Sequence, residues 1–439
     1  MSSGRFLKNG MVSVAALIIA LVWSHKASAA VFTSPEGIQF SSQSSAWNSE
    51  ERLKQVYAEL LKNTHGEEFK LLAEVRIHDG YPKGKSVAGE YQFKTSVDLL
   101  GRQKMLPGSI DLYGGGERTT IESIAKTLSH EYGHHVTHYY SIKQDGFSIT
   151  DKQRWRQTTY AKIRGLANDP RINQSDEHRW QLAEIAAEDY VQLFGSPTAK
   201  KVHVFPSRYE LLQKKQEIGP LRWDASMYNV APQENMELPL ASKVPKLYQW
   251  LAQHLGVAGQ PLFPEDPSLK IREVIKEGQA GYQIRFEWTG GKNSSKTYYT
   301  LVAYGENDSL PEPVVTRKAG EPLEARYGTM VVRTPTSILT YRDPNAAGIR
   351  HFRVYAQNEA GFVVSSPILM LDMNQPTKVT ITEQTVQPSQ QVDSQAVEVN
   401  EAAPNLFELS GWQDVLLRGI TLIVEVISRF LEILFNLAS

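Results

Sequence analysis

Two histidines four residues apart, with a glutamate beside the first, are the residues whose types and spacing can do chemistry in this chain. They stand in the run Leu128-Ser129-His130-Glu131-Tyr132-Gly133-His134-His135. On a helix, positions i and i+4 share a face, so the imidazoles of His130 and His134 can bind one zinc ion. Glu131 then lies where it can take a proton from water that the metal polarises. Such a site needs three protein ligands and one open position. A histidine six residues after the second would complete one known pattern, but position 140 is Tyr140. The stretch 180–194 offers Glu184 and Glu188 instead, one helical turn apart on one face. Glu184 is expected to be the third ligand. Glu188 is expected to accept a hydrogen bond from the free nitrogen of a ligand histidine and so fix its tautomer. His135 is rotated away from His134, and His138 lies a turn further on; both are expected to pack or to face solvent. The glycine run 114–116 has no Gly-Lys-Ser/Thr after it and is expected to be a loop rather than a phosphate cradle.

This pairing of a His-Glu-x-x-His helix with a later helix carrying Glu-x-x-x-acid resembles the gluzincin zinc metallopeptidases. The Glu184-Ile-Ala-Ala-Glu-Asp-Tyr190 form looks most like the branch that includes lethal-factor-type secreted peptidases. The resemblance implies a two-lobed catalytic domain with zinc in the cleft, a protein or peptide substrate, and hydrolysis of peptide bonds with Glu131 as general base. It also implies a donor to the tetrahedral oxyanion, for which His178, Tyr190 and Tyr209 are the candidates. Substrate commonly adds to a strand edge in such clefts. The segment 108–113, ahead of the metal helix, is the expected edge.

The elements that must position these residues follow from hydropathy. Helical periodicity covers 49–61, 119–140, 176–194 and 242–255, with strand-like runs at 69–77 and 109–113, so 30–265 reads as an α+β zinc-peptidase domain. Prolines at 261, 264 and 267 then punctuate the chain, and alternating β-formers take over. Residues 268–374 are similar to a fibronectin type III module, an all-β immunoglobulin-like sandwich with Trp288 on an early strand. The span 375–406 is rich in Gln, Val, Thr, Ser and Glu, contains no aromatic residue, and reads as a flexible linker.

The ends of the chain and its composition bound the rest. Arg5 and Lys8 precede an apolar run, and Ala27-Ser28-Ala29 suits a signal peptidase, so 1–29 reads as a signal peptide and the protein as secreted. The absence of cysteine excludes disulfides, thiol nucleophiles and thiolate metal sites, which leaves any metal to His, Asp and Glu. With 47 Lys+Arg against 48 Asp+Glu there is no broad basic field, and no nucleic-acid partner is expected. At 410–438 an amphipathic C-terminal helix gathers Asp414, Arg418, Glu425, Arg429 and Glu432 on a stripe about 100° wide. It suits a membrane surface, self-association, or docking on the core. Two other functions stay open: a non-catalytic cell-surface or adhesion protein that retains a zinc site, and a membrane-associated factor that oligomerises through that helix.

Overall fold

The computed structural model describes residues 30–382 except 83–86, 217–222, 224–225, 292–295, 307, 309, 334 and 377–378. The signal peptide, the C-terminal helix and most of the linker read from the sequence lie outside the described residues. All described residues belong to one unit, 1–389, and its class is α+β. Among them, no helix is long and apolar enough to cross a membrane.

The first region is built on a five-stranded sheet. Its strands are β1 (Ala30–Thr33), β2 (Gln39–Ser42), β3 (Leu72–Ile77), β4 (Gly89–Gln92) and β7 (Gly108–Leu112), in the order β1-β2-β3-β7-β4. A separate two-stranded ribbon pairs β5 (Thr95–Val97) with β6 (Gln103–Met105). Strands β2, β3 and β7 run parallel, while β4 closes the edge antiparallel to β7. Six helices complete the region: α1 (Glu50–Leu60), α2 (Ile121–Asp145), α3 (Thr159–Arg164), α4 (Leu182–Phe194), α5 (Arg208–Gln213) and α6 (Leu247–Leu255). The apolar faces of α1, α2, α4 and α6 meet the sheet in one core with Phe40, Trp47, Val75, Ile110, Leu128 and Tyr190.

Local chemistry sets the helix ends. Thr120 and Ser123 form a reciprocal capping box at the start of α2, and Gly146 ends it with a left-handed φ of 81°. Helices α4 and α6 start later than periodicity suggests. A short 3-10 turn at His178–Trp180 precedes α4, and the backbone N–H of Leu182 donates to Asn173 Oδ1 at 2.9 Å. Before α6, Val244 is extended ahead of Pro245, as the proline ring requires. The buried carboxylate of Glu68 ties α2 to the preceding chain. It accepts from the Tyr132 hydroxyl at 2.7 Å, the Tyr140 hydroxyl at 2.6 Å and the Gly66 N–H at 2.9 Å.

The second region consists of two antiparallel sheets. One contains β10 (Thr297–Tyr304), β11 (Glu312–Lys318), β14 (Ile349–Asn358), β15 (Val363–Ser365), β16 (Ile368–Asp372) and β17 (Val379–Thr382). The other contains β8 (Leu269–Lys276), β9 (Tyr282–Trp288), β12 (Glu324–Arg333) and β13 (Ile338–Arg342). Residues from both, including Phe286, Trp288, Tyr299, Leu301, Phe352 and Val354, share a second core. The two regions are joined by buried contacts. Arg208 pairs with Asp343 and, at 2.6 Å, with Glu312. Asn229 Nδ2 donates to Thr300 Oγ1 at 2.7 Å, and a third apolar cluster links Val191, Tyr228 and Leu240 to Val302, Tyr304, Tyr355 and Val363.

Candidate metal centre

Helix α2 carries His130, Glu131 and His134, and α4 carries Glu184 and Glu188. The helices meet at Gly133, where a Cβ would lie 2.6 Å from the Ala187 carbonyl oxygen; only a bare backbone lets them come this close. The rotation of α4 is fixed from its far side. Asp189 accepts from the Tyr160 hydroxyl at 2.7 Å and from Arg164 Nε at 2.8 Å, both on α3.

Three of the residues expected to bind metal come together. His130 Nε2 and His134 Nε2 each lie 3.1 Å from Glu184 Oε2, and the three donor atoms fall within 4.8 Å of one another. Glu188 Oε2 lies 3.1 Å from His130 Nδ1. A carboxylate only accepts, so His130 Nδ1 carries the proton between them. The Nε2 of that ring then turns a lone pair on a second carboxylate, and only a proton or a cation between them makes the arrangement favourable. Electrostatics say the same. Burial lowers the His130 pKa, but Glu184 and Glu188 outweigh it and hold it well above the usual imidazole value. Burial pushes the Glu184 carboxyl up, yet His134 and His130 hold it well below the usual range. Two imidazoles and one carboxylate around a point that calls for positive charge fit zinc.

Glu131 is buried, with 6% of its surface exposed. Burial raises its pKa against the lowering pull of His130 and His134, which makes it a stronger base than an ordinary carboxylate. His135 and His138 belong to the core. His135 Nδ1 is 2.8 Å from the Tyr91 hydroxyl and Nε2 is 2.8 Å from the Glu68 carbonyl; burial brings its pKa down to about 4. His138 Nδ1 is 2.7 Å from Ser148 Oγ, and burial brings its pKa down to about 3.

Of the three candidate oxyanion donors, only His178 stands at the cluster. Its Nε2 lies 3.1 Å from Glu184 Oε2, its Nδ1 lies 2.7 Å from Glu234 Oε1, and its side chain is 66% exposed. Glu234 raises its pKa and burial opposes the rise. Tyr190 is spent in the core, donating to the Thr64 carbonyl at 2.5 Å, and Tyr209 packs under the Arg326 guanidinium.

The expected substrate edge needs correction. Segment 108–113 contains β7, which is central, paired with β3 on one side and β4 on the other. Among the described residues β4 is an edge strand of this sheet, and it faces the site. A Cβ on Gly89 would lie 2.6 Å from both Glu131 Oε1 and Thr127 Cγ2. Neither Gly89 nor Glu234 was singled out by sequence reasoning, and neither sits in a motif. Gly89→Ala is expected to displace the Glu131 carboxylate and lower turnover by about 10²-fold, with zinc content unchanged. Steady-state rates beside metal analysis check this.

No family model and no curated protein matches the chain. Among solved structures it matches the glycoside hydrolase domain of Endo-D from Streptococcus pneumoniae R6 at 10% identity and a TM-score of 0.18. That match covers 27% of this chain and only 16% of the other, so the chain spans about one sixth of the Endo-D domain. Two crystal forms of OgpA from Akkermansia muciniphila match at 7% and 6% identity, both with a TM-score of 0.21. These cover 76% and 75% of this chain and 72% of theirs. The expectation of a secreted zinc peptidase cleaving peptide bonds is corrected here. The solved structures it matches are a glycoside hydrolase domain and OgpA, and nothing in the site geometry selects an amide over another hydrolysable bond. The peptide-bond assignment is withdrawn. Likenesses this slight put no other bond in its place.

Proposed function

We propose that the chain is a metal-dependent hydrolase of a macromolecular substrate, in which His130, His134 and Glu184 hold one zinc ion. The observation that carries this reading is the meeting of the His130 and His134 Nε2 atoms on one Glu184 oxygen, which His178 Nε2 also reaches, with the other nitrogen of His130 already committed to Glu188. The ligand spacing is gluzincin-like, and that likeness extends to the metal site alone. Bound zinc would supply a Lewis acid that acidifies water and polarises a substrate oxygen. The chain's own residues do the rest. Glu131 accepts a proton from the attacking water and returns it to the leaving atom. Glu188 keeps the His130 proton on Nδ1, so that Nε2 stays available as a donor to metal. His178, oriented by Glu234, donates Nε2–H to the oxygen that gains charge as the bond breaks.

Secretion through residues 1–29 belongs to the same proposal and rests on their charge and apolar order. The role of 410–438 at a membrane surface or in self-association also remains a proposal. So does assignment of the two-sheet region to the immunoglobulin-like class, which its shared core supports.

Metal analysis of the purified protein tests the first step, with one zinc per chain expected and none after His134→Ala. Incubation with a panel of proteins, glycoproteins and free glycans, read by mass spectrometry, assigns the bond without presupposing it. Absence of stoichiometric zinc, or product formation that survives chelation, sinks the proposal.

A further inference from the structure

The segment 227–240 runs between the first region and the two-sheet region and touches the metal centre twice. Lys126, buried on α2, donates Nζ to the Ala231 carbonyl at 2.6 Å and lies 3.4 Å from Glu188 Oε1. The other oxygen of Glu188 takes His130 Nδ1. Three residues after Ala231, Glu234 holds His178 Nδ1. Between these two contacts sits Gln233, itself buried. Its amide nitrogen donates to the Asn235 and Leu238 carbonyls and closes the segment on itself. Its amide oxygen accepts from Arg353 Nη1 at 3.1 Å and from the Tyr355 hydroxyl at 3.3 Å, both on β14. Strand β14 lies inside its sheet, between β10 and β16, so its position is set by the whole two-sheet region.

We propose that the two-sheet region is a working part of the metal centre: through Gln233, strand β14 sets the segment 231–234, which places Lys126 against Glu188 and Glu234 against His178. The inference rests on the metal-site reading above. Its physical basis is that Lys126 is a buried ammonium with two close oxygen partners, the Ala231 carbonyl and Glu188. If the carbonyl shifts, the ammonium must draw more heavily on Glu188, at the expense of the hydrogen bond that aligns His130. Lys126 and Gln233 are therefore positioning residues, acting through Glu188. The region is more than a spacer, and the seam between the two regions is expected to be felt in metal affinity.

The test measures zinc affinity of the full-length chain by competition with a chromophoric chelator. Gln233→Leu is expected to weaken zinc binding by about 10- to 100-fold, and Lys126→Met by a similar factor. Tyr355→Phe removes one hydroxyl and keeps the ring, and is expected to weaken binding by about threefold; it serves if Gln233→Leu does not fold. In the Lys126→Met background, Gln233→Leu should add less than about twofold, because both act through Glu188. Gln357→Leu is the control. Gln357 donates to the Lys200 carbonyl elsewhere on the seam, and its loss should leave zinc affinity within about twofold of the parent. The inference is overturned if folded Gln233→Leu and Tyr355→Phe bind zinc as the parent does, or if Gln357→Leu weakens binding as much as Gln233→Leu. A parent chain that binds no stoichiometric zinc overturns the metal-site reading itself, a result distinguishable from either of these.

Discussion

Glu131→Gln should lower turnover by between about 10²- and 10⁴-fold while the chain still binds one zinc ion. The substitution keeps the shape of a side chain whose Oε1 lies where a Cβ on residue 89 would meet it. It removes the capacity to accept a proton. Burial raises the pKa of this carboxyl, which favours its taking a proton from water, and an amide cannot accept one. The ligand atoms of His130, His134 and Glu184 are untouched, so metal content separates this result from a collapsed site. The measurement is the initial rate on whichever substrate the panel yields, beside zinc analysis of the same sample. Equal rates for parent and variant would remove Glu131 from the chemistry and the hydrolase reading with it.

Gly133→Ala should destabilise the protein and weaken zinc binding together, although helix propensity alone predicts the opposite. In a helix interior, alanine is favoured over glycine by about 1 kcal/mol. Here the added methyl would sit 2.6 Å from the Ala187 carbonyl oxygen and 3.0 Å from its Cα, and backbone of a neighbouring helix cannot turn aside as a side chain can. Helices α2 and α4 must separate, at a cost of about 1–3 kcal/mol for overpacking. Glu184 and Glu188 ride on α4 three residues before and one after the contact, so the separation moves both away from His130. A lower thermal midpoint with zinc affinity reduced about tenfold is the expected pair of results. A raised midpoint with unchanged affinity would show that the contact is looser than described and that α4 is not held to α2 at this point.

The residues proposed to bind metal were legible because their relation is local. His130 and His134 share a helix face by spacing alone, and Glu184 with Glu188 repeats that logic on a second helix. What joins the two pairs is a crossing at Gly133 and Ala187, and no short pattern announces it. The edge strand was misplaced for a related reason. β7 is the strongly patterned strand because it is central and buried, whereas β4 is four residues long and half polar, the dress of an exposed edge. Lys126 and Glu234 were invisible as site residues. Their partners lie 105 and 56 positions away in the chain, and a lone lysine or glutamate in sequence is ordinarily a solvated one. His178 was named only as one of three candidates, and three-dimensional placement singled it out.

The distances along the chain carry a consequence in time. The proposed centre draws its base and ligands from residues 130–184, its outer carboxylates from Glu188 and Glu234, and its last fixing point from Arg353 and Tyr355. Synthesis proceeds from the N-terminus, so the residues that would bind zinc are made long before the strand that steadies them. A nascent or truncated chain ending before β14 would carry the motif without its support. On this order of assembly, the cell that makes the protein meets the complete centre only when almost the whole of the described chain has been produced.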